Sequence, residues 1–407
     1  MLTITLADMA NGGKSVGRDH RDRAVFVPLT IPGETVRAEV VESKPRYAHA
    51  VLVEVLEPSP DRIEPRCPHF GLCGGCHFQH IDYQAQLRYK ESVVVDQLRR
   101  IGKMTQVKVN PTLESPEPWH YSTEVTFDRT HDGRLGFWSA TSKQVIPIEI
   151  CHIIKEDLLE LYRQVDLNLP SLRRLMLRVG DDGSSLAALE VEGNEAPSLT
   201  ADVPISVNMV LPDGTTANLI GDNYTIREVK GRSFRVTAGC FFFSNPGATE
   251  LMVDTVLNYA SLSNHERVLE LDSGVGLLTA FLARSALEVV GVERNPDSVA
   301  DLSTNLADCD NVTIYQGDVE EIVPNLEESP HVLVVQPPEA GLSTTILDQV
   351  KRLNPDKLIY VGSDIATMAR DGRRLGDKGY RPVEVQPIDM WPQTYHVLTV
   401  SLWKKMP

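Results

Sequence analysis

The chain has 407 residues, of which 42% are hydrophobic and 24% are charged, as is ordinary for a globular protein of several domains. It has no apolar run long enough to span a membrane and no apolar core of a secretory signal, so we expect a cytoplasmic protein without membrane contacts. The net charge of -16 argues against a general polyanion binder. Residues 1–110 nevertheless carry a net +2, so any contact with nucleic acid should begin at the N-terminal end.

The N-terminal segment 1–57 alternates apolar and polar residues in about five short runs, which turn signals such as NGG and IPGE separate. This pattern is typical of a small barrel of OB type. Two loops, 11–23 and 43–49, combine cations with an aromatic residue, which suits a surface for single-stranded nucleic acid. On these residues alone, exposed loops without a partner are an equal alternative. The side chains concerned are Lys14, Arg18, Arg21, Arg23, Lys44, Arg46 and Tyr47.

Three cysteines, Cys67, Cys73 and Cys76, follow within ten residues after a proline-rich hinge. In a cytosolic chain, clustered cysteines hold a metal more often than they form disulfides. A complete site needs a fourth ligand, and Cys151 in IPIEICHII is the best candidate. The spacing leaves open a [4Fe-4S] cluster on these four cysteines, or a structural zinc on the first three with one more ligand. For zinc, that ligand would be His77, His80 or Cys151.

The rest of the chain changes pattern twice. Apolar residues at helical spacing predict a helix over 81–102. The next segment is mainly β in pattern, with one helix in KEDLLELYRQV, and from residue 236 strands alternate with helices, which predicts βαβ units and a parallel sheet. The predicted domains are 1–57, 58–104, 105–235 and 236–407.

The segment 267–307 predicts a cofactor site. It has a strand, a glycine-rich turn, a helix and a second strand that ends in Glu293. Gly274 and Gly276 let the backbone approach a ligand closely, and an acidic residue at Glu293 can hold two ribose hydroxyls. Asp318 is placed for a further adenine or ribose contact. This layout is typical of domains that bind S-adenosylmethionine (SAM), and the alternative is that the glycines serve only helix–strand packing.

Nearly the whole chain resembles the TrmA/RumA (RlmD-like) family of class I SAM-dependent RNA uracil-C5 methyltransferases. SPDRIEPRCPHFGLCGGCHFQHIDYQAQLRYK resembles the iron–sulfur segment of that family, FVPLTIPGETVRAEVVESK its RNA-binding TRAM barrel, and VIPIEICHI its central domain. The resemblance implies an α/β Rossmann-like methyltransferase domain, an N-terminal OB-type barrel and a β-rich central domain. It implies SAM as cofactor and rRNA or tRNA as partner, bound through the barrel. It also implies a structural [4Fe-4S] cluster rather than zinc, held by Cys67, Cys73, Cys76 and Cys151.

Several cofactor positions differ from those of the family. ELDSGVGLL stands where the family has DLFCGxGxF, so Asp272 replaces an aromatic residue and Leu277 replaces an asparagine. Phe243 stands where the family's FFQxN has a cofactor-binding glutamine. A site with fewer polar partners should bind its ligand more weakly. The predicted cofactor-binding residues are Phe243, Asp272, Gly274, Gly276, Leu277, Glu293, Asp318 and Gln336.

The catalytic positions of the family have changed as well. The family mechanism uses a cysteine thiolate that adds to C6 of uracil, and a base that later removes the C5 proton. In this chain Ser363 stands at the cysteine, Gln336 and Glu339 at the Asp and Arg of DPPRxG, and Leu398 at the general base. A serine hydroxyl is hardly ionised at neutral pH and a leucine accepts no proton. We therefore expect no C5 methylation by this mechanism.

The remaining candidates have structural interpretations. Either Ser363 or Asp364 could cap a helix that begins near Ile365, and we predict that Ser363 is the cap and not a nucleophile. His396, as a lone histidine in a strand, is interpreted as structural. Two function classes follow: a SAM-dependent RNA methyltransferase with altered chemistry, or a non-catalytic RNA-binding or regulatory iron–sulfur protein.

Overall fold

The computed structural model describes residues 1–406 apart from 166, 168, 194, 199, 213 and 328. The N-terminal strands are β1 (Leu2–Met9), β2 (Ser15–Arg18), β3 (Ala24–Val27), β4 (Thr35–Ser43) and β5 (Tyr47–Glu57). They form a closed barrel in the order β1-β2-β3-β5-β4, and alternate apolar residues such as Leu6 and Val25 fill it. The alternation in the sequence therefore predicted this barrel correctly, because a closed barrel buries every second side chain.

The cysteine segment leads into a long helix, α1 (Tyr83–Arg100), and then into a short strand, β6 (Lys108–Val109). Asp82 caps α1 because its carboxylate accepts hydrogen bonds from two backbone N–H groups of the first turn. The apolar face of α1, with Val94 and Leu98, is buried against the C-terminal part of the chain. The helix predicted from apolar periodicity is confirmed.

The central part is rich in β-structure. Its elements are β7 (Glu124–Arg129), β8 (Leu135–Trp138), β9 (Val145–Pro147), α2 (Glu156–Arg163), β10 (Leu172–Val179), β11 (Ser185–Val191), β12 (Ser206–Val210), β13 (Thr216–Ile220), β14 (Tyr224–Val229) and β15 (Arg232–Thr237). Seven of these strands form one sheet in the order β13-β12-β11-β10-β7-β8-β9, and β14 pairs with β15 in a separate hairpin. Leu158 and Leu161 of α2 pack into the apolar core of the larger sheet.

The C-terminal part alternates strands and helices. Its elements are α3 (Pro246–Ala260), β16 (Arg267–Leu271), α4 (Leu277–Leu282), β17 (Glu288–Glu293), α5 (Pro296–Asn305), β18 (Val312–Gln316), α6 (Val319–Ile322), a 3-10 helix (Val323–Asn325), β19 (Val332–Val335), α7 (Thr344–Leu353), β20 (Lys357–Gly362), α8 (Ile365–Asp377), β21 (Tyr380–Ile388) and β22 (Leu398–Lys405). They build an eight-stranded sheet in the order β18-β17-β16-β19-β20-β22-β21-β6.

Five neighbouring strands of this sheet, β18 to β20 in sheet order, run parallel, and β22 lies antiparallel to β20. Apolar cores cover both faces. Strand β6, which the sequence pattern assigned to the central region, pairs with β21 of this sheet. The predicted fold class, a Rossmann-like α/β domain with an OB-type barrel and a β-rich central part, is confirmed. In the described ranges, we find no helix of the length and apolar character that crossing a membrane requires.

Candidate functional site

A cavity of about 1220 Å³ lies at the carboxyl ends of β16, β17, β19 and β20. The turns after these strands bring Asp272, Glu293, Gln336 and Ser363 to one wall, because carboxyl ends of parallel strands meet at the same edge of a sheet. Seven of the eight predicted cofactor residues line this cavity, and Gly276 does not. The cavity is thus the natural candidate for the functional site.

The two glycines of the turn have different roles. Gly274 lines the cavity with φ +57, and nothing lies within 4 Å of the place where a Cβ would stand. Gly276 has φ +89 and precedes α4, where a Cβ would stand 2.5 Å from Cδ1 of Leu302. Gly276 therefore allows α4 to pack closely on α5, which is a helix–helix contact and not the helix–strand packing of the alternative interpretation, while Gly274 exposes backbone to the cavity.

Glu293 is held rigidly at the end of β17. Its Oε2 accepts from the backbone N–H of Gly274 at 2.9 Å, and its Oε1 accepts from that of Asn295 at 2.7 Å. The side chain is buried, yet it lines the cavity. Because each carboxylate oxygen has a second lone pair, both can still accept hydrogen bonds from a ligand's hydroxyl groups.

This end of the cavity is acidic. Asp272 has a positive φ of 59°, and burial together with Glu293 and Glu320 raises the pKa of its carboxyl to about 6, although Arg294 opposes the shift. Asp318 also lines the cavity, 3.8 Å from the guanidinium of Arg294. With four carboxylates and one cation, the electrostatic potential here favours a positively charged ligand over a neutral one.

Gln336 is anchored by a buried carboxyl that the sequence did not single out as a partner. Its Nε2 donates to Oε1 of Glu270 at 3.3 Å, and Thr279 Oγ1 donates to Oε2 of Glu270 at 2.6 Å. Glu270 is fully buried, which raises its pKa to about 8 despite these two donors. A signal was available, because a charged residue inside the apolar strand RVLEL needs a buried partner.

The other predicted cofactor residues present apolar surface. Phe243 and Leu277 line the cavity and are largely buried. Asn245 matches the asparagine of the FFQxN segment, but its side chain makes hydrogen bonds within the fold. Its Oδ1 accepts from the backbone N–H of Ala248 to cap α3, and its Nδ2 donates to Ser115 Oγ and to the Met390 carbonyl. The cofactor end therefore offers van der Waals contact where glutamine and asparagine hydrogen bonds are usual.

At the opposite end, Ser363 is exposed on the cavity wall and makes no side-chain hydrogen bond within the described part of the chain. Asp364 caps α8, because its Oδ1 accepts from the backbone N–H of Thr367 at 2.6 Å. The preferred interpretation of Ser363 as the cap is therefore wrong, and its neighbour fills that role. Leu398 lines the cavity with a buried side chain, and Glu339 lies on its exposed rim.

A loop after β21 forms another wall of the cavity, and α1 holds it in place. The ammonium of Lys90 donates to Asp389 and, at 3.1 Å, to the Trp391 carbonyl, and both members of the ion pair are fully buried. Gln86 and Gln393 exchange two hydrogen bonds at 3.0 and 3.2 Å. We did not predict these residues, although Lys90 and Gln86 interrupt the apolar face of α1 at helical spacing.

The same loop places an aromatic group on the cavity. Tyr395 and His396 have ring centroids 4.2 Å apart, and Trp391 lies 6.1 Å from His396. All three line the cavity. Partial burial, with a smaller effect of Lys90, lowers the pKa of His396 and so favours its neutral imidazole. These rings provide faces on which a nucleobase can stack.

The cysteines surround a second cavity of about 230 Å³, lined by Cys67, Cys73, Cys76 and Cys151. All four are free thiols, and the backbone N–H of Gly75 donates to Cys73 Sγ at 3.3 Å. No set of three His, Cys, Asp or Glu side chains among the described residues is arranged for a single metal ion. The four thiols line one cavity without forming such a set. Gly75 lines this cavity and the main one, so the two are adjacent.

Comparisons with known proteins agree with this architecture. A TRAM domain profile matches residues 1–53, and a profile for protein-L-isoaspartate(D-aspartate) O-methyltransferase matches residues 243–351. The chain is similar over 99% of its length to the solved structure of Pyrococcus abyssi tRNA (uracil-54, C5)-methyltransferase in complex with S-adenosyl-L-homocysteine, with a TM-score of 0.74, 21% identity and all of that chain covered. At this identity the likeness concerns the fold.

Two relatives match over nearly their full length. An uncharacterized RNA methyltransferase of Halalkalibacterium halodurans is 33% identical over 99% of this chain and 96% of its own length. One of Caldanaerobacter subterraneus is 31% identical over 99% of this chain and 98% of its own. With the barrel, the parallel sheet and the cavity at its carboxyl edge, these matches show that the chain belongs to the family of RNA methyltransferases with an N-terminal TRAM domain.

Proposed function

We propose that this protein binds SAM and RNA in the cavity at the sheet edge, as an RNA methyltransferase that does not use the covalent route to uracil C5. One observation carries the proposal. A single continuous cavity joins the cofactor residues Gly274 and Glu293 to Ser363 and Leu398. At its far end, Ser363 makes no hydrogen bond to a base among the described residues, and position 336 has an amide in place of a carboxylate.

Support for SAM comes from the geometry at the carboxyl ends of β16 and β17. Glu293 stands at the end of β17 with free lone pairs for ribose hydroxyls, and Gly274 brings backbone to the ligand. The carboxylate of Asp272 adds negative potential that suits the cationic sulfonium. Phe243 and Leu277 fit an adenine ring by contact rather than by hydrogen bonds, so we expect binding weaker than in the family, by about 1–3 kcal/mol for each lost partner.

Support for RNA comes from the barrel. The loop between β1 and β2 contributes Asn11 and Gly12 to the wall of the main cavity, so an RNA bound on the barrel can reach the site. On β3 and β5, Phe26 and Tyr47 each lie within 5.5 Å of the His49 ring, measured between ring centroids. Rings beside the basic loops form a stacking surface for single-stranded RNA.

Calorimetry tests the cofactor site. We expect SAM to bind the full chain, and Glu293→Ala to weaken binding about tenfold or more, because it removes the acceptor for both hydroxyls. Glu321→Ala is the matched control, since Glu321 is exposed and outside the cavity. Absence of binding heat at ~1 mM SAM would refute the methyltransferase proposal. The second candidate, a non-catalytic RNA-binding protein, would then remain, and the apolar side chains of Phe243 and Leu277 favour it.

Labelled methyl transfer to bulk tRNA and rRNA tests the chemistry. We expect no 5-methyluridine from the wild-type protein. The triple variant Ser363→Cys, Leu398→Glu, Gln336→Asp restores the family's groups on the same wall. It serves as the positive control for formation of 5-methyluridine. Formation of 5-methyluridine by the wild type, abolished by Ser363→Ala, would overturn the proposal.

Filter binding tests the barrel. Tyr47→Ala should weaken RNA binding about fivefold or more, as the loss of one stacked base does. Leu56→Ala, an exposed apolar residue on the same strand, is the control. Equal affinities of the two variants would show that RNA binds elsewhere.

We also propose that Cys67, Cys73, Cys76 and Cys151 hold a [4Fe-4S] cluster that ties the central domain to the cysteine segment. When bound, the cluster would act as a structural cross-link. Anaerobic purification should give absorbance near about 400 nm and iron with acid-labile sulfide. Cys151→Ala should lose both, whereas Cys309→Ala should not, since Cys309 lies outside this cavity. Stoichiometric zinc without sulfide would refute the cluster.

A further inference from the structure

Gln336 is a wall residue of the main cavity, and its amide has a fixed orientation. The Nε2 atom donates to Glu270, whose other oxygen receives the hydroxyl of Thr279. Since amide nitrogen donates and amide oxygen only accepts, this contact leaves Oε1 of Gln336 for the cavity. Across the part of the chain that the structure describes, this oxygen has no partner and is not among the buried atoms that lack one.

The neighbouring groups restrict which atom can be methylated. Among the described residues Ser363 makes no hydrogen bond to a base, one carboxylate oxygen of Asp364 caps a helix, and Leu398 is apolar. A carbon such as uracil C5 needs covalent activation, and a hydroxyl needs a base that removes its proton as it attacks. An exocyclic amino nitrogen needs neither a covalent adduct nor prior deprotonation. Hydrogen bonds to its N–H groups can draw its lone pair out of conjugation with the ring, and the proton leaves after the nitrogen has attacked.

An exocyclic amino group matches the acceptor that Gln336 presents. Its N–H donates to Oε1, and the second N–H of the Gln336 amide can donate to the adjacent ring nitrogen of the same base. Adenine and cytosine both offer this donor–acceptor pair, and glutamine commonly reads adenine in this bidentate way. Uracil has no amino group. Trp391 and Tyr395 line the same cavity and offer aromatic rings on which a base can stack.

We propose that the protein methylates the exocyclic amino nitrogen of an adenine or cytosine in RNA. Gln336 would recognise the amino group, and Glu270 would position Gln336. The inference rests on the proposed function, since it assumes that SAM and RNA share the cavity. In the reaction the nitrogen lone pair forms a bond to the methyl carbon of SAM, and the carbon–sulfur bond breaks. The sulfur keeps that electron pair and leaves as S-adenosylhomocysteine, and the nitrogen then loses one proton to water in the cavity.

The full chain, incubated with methyl-labelled SAM and unmodified transcripts of tRNA and rRNA, gives the decisive test. After digestion to nucleosides, chromatography with mass spectrometry identifies the labelled product. We expect label in N6-methyladenosine or N4-methylcytidine. Label in 5-methyluridine or in a ribose, or no label at all, would overturn the inference. If calorimetry shows SAM binding in such a case, the cofactor part of the proposed function stands and only the target atom is wrong.

A variant pair tests the role of Gln336. Gln336→Leu should slow methyl transfer roughly tenfold to hundredfold at saturating SAM, because the lost acceptor faces the base. The Kd for SAM, measured beside the rate, separates this loss from weaker binding of the cofactor. Gln106→Leu, on an exposed side chain outside the cavity, should change neither quantity. Equal rates for the two variants would refute the role. If Gln336→Leu fails to fold, the nucleoside formed by the wild type still decides the target atom.

Discussion

Lys90 and Asp389 form an ion pair without solvent exposure, between α1 and the loop that carries the aromatic wall of the cavity. Burial lowers the pKa of the Lys90 ammonium, while Asp389 opposes that shift. We predict that Lys90→Met destabilises the protein strongly, because it leaves a carboxylate buried without its cation. The Trp391 carbonyl loses a donor at the same time.

The magnitude follows from complete burial. Breaking a fully buried ion pair by removing one partner costs about 3–5 kcal/mol of the free energy of unfolding. The double variant Lys90→Met, Asp389→Leu should recover most of this loss, since replacing both charges by apolar groups is often neutral. The ion pair of Arg88 with Asp61 provides the control, since the two side chains are 60% and 24% exposed. Arg88→Met breaks this pair and should cost about 1 kcal/mol or less.

Urea denaturation of the wild type and the four variants, with Asp389→Leu completing the cycle, measures these differences at one pH. A loss of less than about 1 kcal/mol for Lys90→Met would refute the reasoning, because surface pairs give that value. A double variant as unstable as the single one would also contradict it, since the penalty would then come from packing and not from the stranded charge.

The pKa of Glu270 is raised to about 8 in the folded chain, so between pH 4.5 and pH 8 the folded state binds more protons than the unfolded state. The free energy of unfolding should therefore fall as the pH rises through this range, by about 1.4 kcal/mol per pH unit. Glu270→Gln should flatten that slope in denaturation curves measured from pH 5 to pH 8. Gly276→Ala should destabilise by about 1–3 kcal/mol through strain and overpacking, whereas Gly376→Ala, with open space around it in α8, should be neutral or stabilising in the same melts. Asp364→Ala should cost about 1 kcal/mol as a lost helix cap and Ser363→Ala about nothing, and equal costs would show that the cap is shared.

The sequence patterns predicted the regular helices and strands better than they predicted contacts between side chains. The barrel, α1 and the alternating C-terminal strands were predictable because each buries one side of a strand or helix, and that periodicity is written in consecutive residues. The acid at Glu293 and the glycine at Gly274 were predictable for a similar reason, since their distance from a strand end is local. Ser363 was placed at the site correctly but was assigned a cap that Asp364 makes, because two adjacent polar residues compete for one position.

The chain's own sequence determined its fold class. It also limits the chemistry available at positions 398 and 363, since a leucine accepts no proton and a serine hydroxyl is hardly ionised at neutral pH in any structure. The tertiary structure decided which groups act together. The pairing of Gln336 with Glu270 and of Lys90 with Asp389 joins residues distant in sequence. Such contacts depend on how strands and helices pack, and no local pattern records the orientation of a side-chain amide.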